Sequence, residues 1–508
     1  MTDPVIHVAV AQHAATRPNA VALTRRGADL TYAQLDAAAS TYAAQLAAAG
    51  VRPGVLVPIA LPRSVHLAAV ELAVLKCGSA YANVDPTWPA ARQSSIVSRI
   101  DPPAYVHRGG VALSDHATAV RLDPDPVTAA AAGVAFAPAP VGADDPATVF
   151  FTSGTTGGPK GVVIPHRAVT RMFTGTDHLA GFGPGHAIPL AAALPWDMYA
   201  FELWGQLVAG GTGAFASGDP LMPGSLRDLV AGSGVDTIWI TTTLFNLFVD
   251  EDVECFRGLA RVYTGGEKLS SAHARSFLEH HPSVPLWNCY GPAENCMMTS
   301  VHRVTEADCQ IPAGAPVGRA VPGTTVLIID DDGRPCPPGT SGEIVATGSG
   351  LALGYLDQAE LTAEKFPTIE VAGVPAKVYR TGDRGHVDVD GILHFGGRQD
   401  RQVKLAGHRI ELAEIEIAAR GVAGVRDGIV VPLLDADHNV TGLALFFTQQ
   451  PGSAVDDAGL RAELRRLLPT YLVPHVIRGL TSFPVTPNGK SDQAELARLA
   501  QRPRQTLR

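Results

Sequence analysis

The chain carries the glycine-rich stretch Thr152-Ser153-Gly154-Thr155-Thr156-Gly157-Gly158-Pro159-Lys160-Gly161 between two short apolar runs. The run before it, Ala147–Phe151, and the run after it, Val162–Ile164, both predict buried β-strands. Glycine lets backbone N–H groups turn toward an anion, serine and threonine hydroxyls donate further hydrogen bonds, and lysine adds positive charge. The stretch therefore predicts a polyphosphate-binding loop, with a flexible hairpin as the alternative interpretation.

Other glycine-rich signatures fit the chain poorly. The loop is not GxxxxGK[ST], because Pro159 precedes Lys160 and Gly161 follows it. Residues 211–216 (GTGAFA) match GxGxxA, but the sequence SGDP comes next, where dinucleotide binding needs a helix. No GxSxG elbow occurs in the sequence, which argues against an α/β-hydrolase.

The chain predicts more than one domain, because 508 residues are too many for a single core. Helical patterns over Leu35–Ala49 and Val65–Cys77 flank a strand-like run, Val55–Leu61, and this alternation favours an α/β architecture with parallel sheet. Residues 123–146, rich in alanine, proline and aspartate, predict a surface connection.

The pattern changes near residues 397–400 to that of a small α+β unit. A helix is predicted over Ile410–Ala419, strands over Gly428–Leu434 and Leu443–Thr448, and another helix over Leu460–Leu468.

The composition is that of a globular protein, with 46% hydrophobic and 18% charged residues. Lys plus Arg is 40 and Asp plus Glu is 49, so the net charge of −9 offers no electrostatic basis for non-specific nucleic-acid binding. Six scattered cysteines without a CxxC pair favour a reducing, cytoplasmic compartment. The sequence shows no signal peptide, no apolar run of about 18 residues and no zinc-ligand spacing. These patterns predict a cytoplasmic protein with neither nucleic acid nor a membrane as partner.

The glycine-rich loop is one of a series of short motifs along the chain. Two motifs precede it and the others follow in a defined order. They are LTY at 30–32, LKCGSAY at 75–81, NCYGPAE at 288–294, GEI at 342–344, GLALGY at 350–355, YRTGD at 379–383, GRQD at 397–400, QVK at 402–404, LPTY at 468–471 and NGK at 488–490.

With these motifs the chain resembles the adenylate-forming superfamily, which includes acyl-CoA synthetases, luciferases and the adenylation domains of non-ribosomal peptide synthesis. The resemblance covers residues 30–490, and its LKxGxAY, QVK and NGK forms favour the amino-acid branch. It implies an α/β fold with a large N-terminal adenylation domain of stacked α/β subdomains, residues 1–398. A small mobile α+β C-terminal domain, residues 399–508, is expected to follow a hinge near Asp400.

The resemblance also implies a site for ATP and Mg²⁺. Glu294 is expected to hold Mg²⁺, a hard cation suited to carboxylate oxygen. Tyr290 is expected to stack on adenine, and Asn288 to contact its exocyclic amine. Asp383 would accept the ribose hydroxyls, and Arg398 would support the ribose and phosphates. The other ATP-binding residues implied are Thr152, Ser153, Gly154, Thr155, Thr156 and Lys160, which would hold the phosphates, together with Gly266, Glu267 and Gly291.

Two lysines are expected to serve the two half-reactions. Lys490 would bridge the substrate carboxylate and the α-phosphate of ATP, and Lys404 would lie on the face that enters for thioester formation. Because the Lys490 loop would block an incoming thiol, the small domain has to move about Asp400 between the two steps. The alternative is that Asp400 and Lys404 form a solvated charge pair at a domain edge.

The segment Trp196–Glu202 (WDMYAFE) resembles the one that opens the amino-acid pocket in this family. Asp197 then falls where family members pair with the substrate α-ammonium group, since a buried carboxylate is costly unless a cation meets it. The alternative is that Asp197 is a helix N-cap. The other wall residues implied are Met198, Phe201, Trp239, Tyr263, Gly265, Cys289, Met297 and Met298.

None of these wall residues is charged and most are large, which predicts a small neutral aliphatic amino acid such as alanine, glycine, 2-aminobutyrate or valine. No GGxS carrier motif follows Lys490, so we expect a free-standing enzyme that loads the phosphopantetheine thiol of a separate carrier protein in trans. An acyl-CoA synthetase acting on a small organic acid is the alternative function. A catalytically inactive homologue that serves as a binding module is a further one.

Overall fold

The computed structural model describes residues 5–109, 112–152, 159–175, 179–216, 218, 220–311, 314–371, 373–398, 401–435, 439–450, 452–453, 455–484 and 492–501. Contacts between Cα atoms divide the chain into two compact units. The first comprises Met1–Pro86, Val97–Phe151 and Gly161–Gln399, and the second comprises Thr87–Ile96, Thr152–Lys160 and Asp400–Arg508. The domain boundary at 398–399 stays a prediction, and the expected hinge Asp400 lies outside the described residues.

The described residues form helices that alternate with strands through most of the chain, so the fold is of the predicted α/β class. The helices are α1 (Ile6–Thr16), α2 (Tyr32–Ala48), α3 (Val65–Lys76), α4 (Ala90–Ile100), α5 (Pro126–Ala131), α6 (His166–Thr170), α7 (Asp197–Ala209), α8 (Pro223–Ser233), α9 (Thr242–Asp252), α10 (Ser271–His280), α11 (Ala359–Lys365), α12 (Leu412–Arg420), α13 (Asp457–Leu467) and α14 (Gln493–Gln501).

The strands assemble into several sheets rather than one. They are β1 (Val21–Arg25), β2 (Ala28–Thr31), β3 (Leu56–Ala60), β4 (Ala80–Asn83), β5 (Ala104–His107), β6 (Thr118–Val120), β7 (Pro146–Thr152), β8 (Lys160–Pro165), β9 (Ala187–Leu190), β10 (Thr212–Phe215), β11 (Thr237–Thr241), β12 (Arg261–Gly265), β13 (Leu286–Tyr290), β14 (Ser300–Arg303), β15 (Arg319–Ala320), β16 (Thr324–Ile329), β17 (Gly342–Gly348), β18 (Gly354–Tyr355), β19 (Thr368–Val371), β20 (Val374–Lys377), β21 (Tyr379–Val387), β22 (Leu393–Arg398), β23 (Val403–Leu405), β24 (His408–Ile410), β25 (Val425–Leu434), β26 (Val440–Gln449) and β27 (Val476–Leu480).

Three sheets of the first unit position the site. A seven-stranded sheet has the order β18-β8-β7-β4-β3-β5-β6, and its strands β4, β3, β5 and β6 pair in parallel. A five-stranded sheet, β11-β12-β13-β14-β15, is parallel from β11 to β13. A four-stranded antiparallel sheet has the order β16-β17-β21-β22. Parallel strands end at the same edge of a sheet, which is where ligands bind in α/β folds.

Local sequence explains where the first helices begin and end. Thr31 and Gln34 form a reciprocal capping box at the start of α2, so this helix begins earlier than the predicted Leu35. The hydroxyl of Ser64 accepts a hydrogen bond from the Leu67 N–H and caps α3. Gly78 follows α3 with φ +72°, a left-handed conformation that glycine adopts without strain.

Residues 123–146 are mostly exposed irregular chain, as expected for a surface connection, but they also contain the short helix α5, which was not predicted. Asp125 caps this helix through the N–H groups of Val127 and Thr128, and Pro126 occupies the first helical position. Both residues are helix-start signals as well as turn signals, which is why the composition was misleading. The helix packs on α2, where the Thr41 hydroxyl donates to the Ala129 carbonyl at 2.9 Å.

The second unit has its own core around α12, α13 and the sheet β25-β26-β27. Its largest apolar members include Ile415, Phe447 and Leu464, all fully buried. The predicted helix over Ile410–Ala419 begins later than expected, at Leu412, because Ile410 pairs in the β23–β24 hairpin. Within this unit Arg92 on α4 donates to Glu414 on α12 at 2.8 Å.

Across the described ranges, the structure contains no helix that is both long and apolar enough to cross a lipid bilayer.

Candidate active site

The residues predicted as pocket walls meet in one hydrophobic core of the first unit. Trp239 on β11 pairs with Tyr263 on β12, and the Trp239 ring lies 5.2 Å from that of Trp196. The Tyr263 hydroxyl donates to the Ala180 carbonyl at 2.8 Å, which fixes the ring. The predicted wall residues in this core are Met198, Phe201, Trp239, Tyr263, Cys289, Met297 and Met298.

Gly265 ends β12 beside Cys289 on β13. A Cβ atom added to Gly265 would lie 2.4 Å from the Cys289 carbonyl oxygen, so only glycine permits this strand approach. Cys289 is buried, and burial raises the pKa of its thiol well above the ordinary value. The wall at this point is therefore neutral as well as apolar.

Asp197 is the first residue of α7 and only 4% of its surface is exposed. The N-cap residue of the helix is Trp196, so the alternative interpretation of Asp197 as an N-cap does not describe the structure. A carboxylate in the first helical turn interacts favourably with the positive end of the helix dipole. The helix thus presents one anionic group directly before the apolar residue Met198.

A pair of charged side chains that sequence reasoning left without a role holds the segment before α7. The Glu202 carboxylate accepts the N–H groups of Ala191 and Ala192 at 2.8 and 2.9 Å. Arg63 donates to the carbonyl oxygens of the same two residues at 2.5 and 2.7 Å. Burial raises the pKa of Glu202 to about 8. The sequence signal for these contacts was a glutamate within the mostly apolar helix α7.

Glu294, the expected metal ligand, is fully buried in a short 3-10 turn that follows β13. Its Oε1 accepts the Tyr355 hydroxyl at 2.8 Å, and its carbonyl oxygen accepts the Ala352 N–H at 2.9 Å. Within the described ranges no three His, Cys, Asp or Glu side chains cluster as a metal-binding group. Mg²⁺ needs few protein ligands when phosphates and water complete its shell, so a lone carboxylate fits an ion that binds together with ATP.

The residues expected at adenine and ribose are linked to one another by polar contacts. The Tyr290 hydroxyl donates to Asp383 Oδ2 at 2.6 Å, and Arg398 donates to Asp383 Oδ1. Asp383 and Arg398 face each other directly across β21 and β22. Burial and the Asp383 charge raise the pKa of Tyr290, which keeps its phenol protonated as a donor. The Asn288 amide nitrogen donates to the Pro316 carbonyl at 2.9 Å, which orients its carbonyl oxygen.

Glu343 of the GEI motif supports the strand that carries Asp383. It accepts the Arg380 guanidinium through Oε2, at 3.0 and 2.5 Å, and the Gly382 N–H through Oε1 at 3.1 Å. Glu343 is 6% exposed, whereas its partner Arg380 remains exposed to solvent. The motif was noted in the sequence, but its physical purpose is visible only in the structure.

The phosphate side of the site is described in part. Thr152 ends β7 with its hydroxyl oxygen buried, and Lys160 opens β8 with its Nζ 4.0 Å from Glu411 Oε1. Gly266 has φ +92°, and the next residue, Glu267, accepts the Thr243 N–H at 3.2 Å. The predicted phosphate ligands Ser153, Gly154, Thr155 and Thr156, and the predicted catalytic lysine Lys490, lie outside the described residues.

Lys404 lies in β23, the first strand of the β23–β24 hairpin in the second unit. The hairpin turn contains Ala406 at φ +49° and Gly407 at φ +80°. Against it, the rings of His408 and Tyr471 stack with centroids 3.9 Å apart. The hairpin that presents Lys404 is therefore anchored to the rest of its unit by a ring contact.

Comparisons with known proteins agree with this architecture. Residues 10–356 match the family described as AMP-binding enzyme. The chain is 34% identical over 488 residues to malpibaldin synthetase of Mortierella alpina, covering 94% of this chain and 9% of that protein. It is 35% identical over 499 residues to phosphinothricin tripeptide synthetase PhsC of Streptomyces viridochromogenes, covering 97% of this chain and 45% of that protein. The chain therefore spans less than half the length of these two curated relatives.

Among solved structures, PA1221, an NRPS protein containing adenylation and PCP domains, superimposes with a TM-score of 0.86. The two chains are 32% identical, and the alignment covers 99% of this chain and 98% of the other. Holo-PA1221 bound to a vinylsulfonamide inhibitor gives a TM-score of 0.88 at 33% identity, covering 98% of this chain and 84% of that one. With the buried Tyr290, Asp383 and Glu294 in place, the chain belongs to the AMP-binding enzyme family, as an AMP-forming adenylation domain of the nonribosomal peptide synthetase type.

Proposed function

We propose that this protein converts a small neutral aliphatic α-amino acid into its aminoacyl-adenylate and passes the acyl group to the phosphopantetheine thiol of a carrier protein. One observation carries the substrate assignment: the buried acidic residue Asp197 opens α7 directly before Met198, one of the neutral side chains proposed for the pocket wall. An α-ammonium group would place a positive charge against this carboxylate. A fatty or aryl acid would bring no such charge.

Activation requires two anions, the substrate carboxylate and the α-phosphate of ATP, to meet with pyrophosphate as the leaving group. Asp383 and Arg398 would hold the ribose, and Tyr290 would lie against the adenine ring. Bound at Glu294, Mg²⁺ would neutralise charge on the phosphates. Lys490 is proposed to stabilise the negative charge that builds up as the carboxylate attacks. Positioning and electrostatics thus supply most of the chemistry.

The size of the substrate follows from the wall side chains. Met198, Phe201 and Tyr263 are almost fully buried, and the Trp239 ring packs edge-on against Trp196. The volume of these side chains supports the proposal that the substrate carries a short aliphatic group. Alanine, glycine, 2-aminobutyrate and valine are the candidates that we propose.

A carrier protein is proposed as acceptor because PA1221, to which the chain is similar over nearly its whole length, contains both adenylation and PCP domains. The thiol would attack the adenylate carbonyl, form a thioester and release AMP. Lys404, on its anchored hairpin, is the proposed positioning group for this step. Loading of the carrier in trans and a cytoplasmic location stay predictions.

An acyl-CoA synthetase is the alternative, since it uses the same adenylate chemistry on an acid without an amino group. The two proposals differ in the acid activated and in the thiol acceptor. ATP–pyrophosphate exchange with a panel of amino acids and organic acids, followed by thioester formation with holo-carrier or CoA, separates them. Exchange with organic acids alone and transfer to CoA would refute our proposal.

Asp197→Ala tests the observation that carries the proposal. We expect kcat/KM for the amino acid to fall by about 10–100-fold, the contribution of a hydrogen bond to a charged group. Asp197→Asn, which keeps the shape and removes the charge, is the matched control and should lose nearly as much. Wild-type kcat/KM in both folded variants would show that Asp197 does not recognise the ammonium group.

A further inference from the structure

Arg171, directly after α6, is a buried arginine that the proposed mechanism does not use. Its side chain is 3% exposed, and it donates to the carbonyl oxygens of Asn295, Cys296 and Met298 at 3.1, 3.2 and 2.7 Å. It also donates to Ala168 on its own side of the site, and its Nε lies 3.3 Å from the Thr324 hydroxyl. One guanidinium therefore binds three carbonyl groups of a single four-residue loop, residues 295–298.

The loop that it binds has a strained backbone. Cys296 has φ +34° and Met297 has φ +73°, although neither residue is glycine. Side chains with a Cβ atom rarely adopt this left-handed region, and two in succession persist only where surrounding contacts impose them. The carbonyls on both sides of the strained pair are those that Arg171 holds. The guanidinium, with its planar set of donors, is suited to fixing several carbonyl groups at once.

The surrounding sequence leaves room for this guanidinium. A Cβ atom added to Gly350 would lie 2.6 Å from Arg171 Cζ and 2.6 Å from Asn295 Oδ1. One added to Gly323, which has φ +70°, would lie 3.2 Å from Arg171 Cδ. Gly350 is the first glycine of the GLALGY motif. A side chain at this position would collide with Arg171, which is a physical reason for glycine there. The contact is thus built from four separate segments of the chain, around residues 171, 295–298, 323 and 350.

The strained loop carries the wall residues Met297 and Met298, and it directly follows Glu294. Glu294 is held by Tyr355 at its side chain and by Ala352 at its backbone. Three of the bonds from Arg171 reach the carbonyl oxygens of residues 295, 296 and 298. A change at Arg171 should therefore move the amino-acid wall and leave the carboxylate proposed to bind the metal in place.

We propose that Arg171 is a positioning residue that determines substrate size, because it holds the strained 295–298 loop and with it the Met297–Met298 wall of the pocket. This inference rests on the proposed function, since it specifies how the same pocket selects its substrate. Without the guanidinium the two residues can return to ordinary backbone conformations, and the wall changes shape.

Arg171→Lys is the decisive variant, because lysine keeps the charge and loses the planar fork that reaches three carbonyls. We expect the ratio of exchange rates for the preferred acid over a homologue one methylene larger to fall by about tenfold, the discrimination that a pocket exerts per methylene. KM for the amino acid should rise, while KM for ATP and the Mg²⁺ dependence stay at the wild-type values. An equal loss for every substrate, or an unchanged ratio, would overturn the inference.

Arg461→Lys is the matched control. Arg461 lies on α13 of the second unit and, like Arg171, donates to backbone carbonyls, those of Pro474 and His475, at 2.7 and 3.1 Å. It should leave the size ratio unchanged, and a shift equal to that of Arg171→Lys would also overturn the inference.

Gly350→Ala disturbs the same contact without changing Arg171. It is the second test variant, to be used if Arg171→Lys does not fold. Its added methyl group would displace the guanidinium, so we expect the same loss of size selectivity. The panel should include organic acids of graded length. Exchange of wild-type protein with organic acids alone would refute the amino-acid proposal, yet the size ratio would still test Arg171.

Discussion

The proposed nucleotide side and the proposed amino-acid side of the site share strand β13 but are built on different principles. Asn288 and Tyr290 face one side of this strand. Cys289 lies between them and faces the other side. Tyr290 packs in a small cluster with Val317 and Leu393 and bonds to Asp383, whereas Cys289 belongs to the large core with the methionines of the pocket.

The difference lies in how each side recognises its ligand. On the nucleotide side, directional bonds join Tyr290, Asp383 and Arg398 from three strands. On the amino-acid side, recognition is by volume, with Asp197 as the charged group that we propose meets the ammonium. Directional groups need particular residue types, while a volume can be formed by many combinations of side chains. Substitutions of the directional groups should therefore change nucleotide binding. Substitutions that alter the pocket volume should change which acid is activated.

The largest effect is expected for Lys490, the lysine that we propose acts on both the substrate carboxylate and the nucleotide. Lys490→Ala should lower the exchange rate by about 10²–10³-fold, because a charge partner of the transition state is lost. Lys404→Ala is the paired variant, which should retain exchange and lose transfer to the carrier thiol. Pyrophosphate exchange and thioester formation, measured on the same preparations, test whether Lys490 serves the first half-reaction and Lys404 the second. Near wild-type exchange in folded Lys490→Ala would contradict this assignment.

The nucleotide side is tested by Asp383→Ala. Removing this carboxylate leaves the Arg398 guanidinium and the Tyr290 hydroxyl without their shared acceptor, so we expect KM for ATP to rise by about 10–100-fold. Asp383→Asn retains an acceptor and should lose less. The ratio between competing amino acids should not change in either variant. A shift in that ratio would mean that the two sides are not separable.

The amino-acid side is tested by Cys289→Ala, which enlarges the pocket by one sulfur atom. We expect the relative rate for a side chain one methylene longer to increase by about tenfold, with KM for ATP unchanged. Cys255→Ala, at a cysteine buried in the separate core of α8–α10, matches the substitution without touching the pocket. Equal selectivity in the two variants would place Cys289 outside the pocket.

The last test concerns whether water reaches the core behind the proposed pocket. Glu71 on α3 is fully buried, and its carboxyl group is bonded to Asn83 at 2.6 Å and to Tyr199 of α7 at 3.4 Å. Burial raises the pKa of Glu71 from 4.5 to about 8, so the folded protein keeps this group protonated at neutral pH. Asp383, also buried, is instead paired with the Arg398 guanidinium.

A raised folded pKa gives stability that is complete below the unfolded pKa and is lost as the pH rises through the folded one. The free energy of unfolding of Glu71→Gln relative to wild type should therefore grow by about 1.4 kcal/mol per pH unit between roughly pH 5 and pH 8. Denaturant unfolding at several pH values measures this. Glu360→Gln, exposed on α11, controls for the lost charge, and a flat difference for Glu71→Gln would show that water reaches this part of the core.

Secondary structure was predictable where the pattern was strong. The predicted helix Val65–Cys77 is α3, Val65–Lys76, and the predicted strand Ala147–Phe151 lies within β7, Pro146–Thr152. α5 was missed because Asp125 and Pro126 signal both turns and helix starts, and only packing of Ala129 against α2 favours the helix.

By itself the sequence determined the family, and it predicted the polar residues that we propose for the nucleotide side. Those residues lie in short motifs, and their residue types alone suggest their chemical roles, as the carboxylates of Asp383 and Glu294 do. Only the tertiary structure decided the shape of the amino-acid side. Arg171 and the carbonyls it holds are separated by 124–127 positions, and Glu202 works with Arg63 from a distant loop. A pattern of residues along the chain does not encode such contacts, because they form only when the packed core brings the segments together.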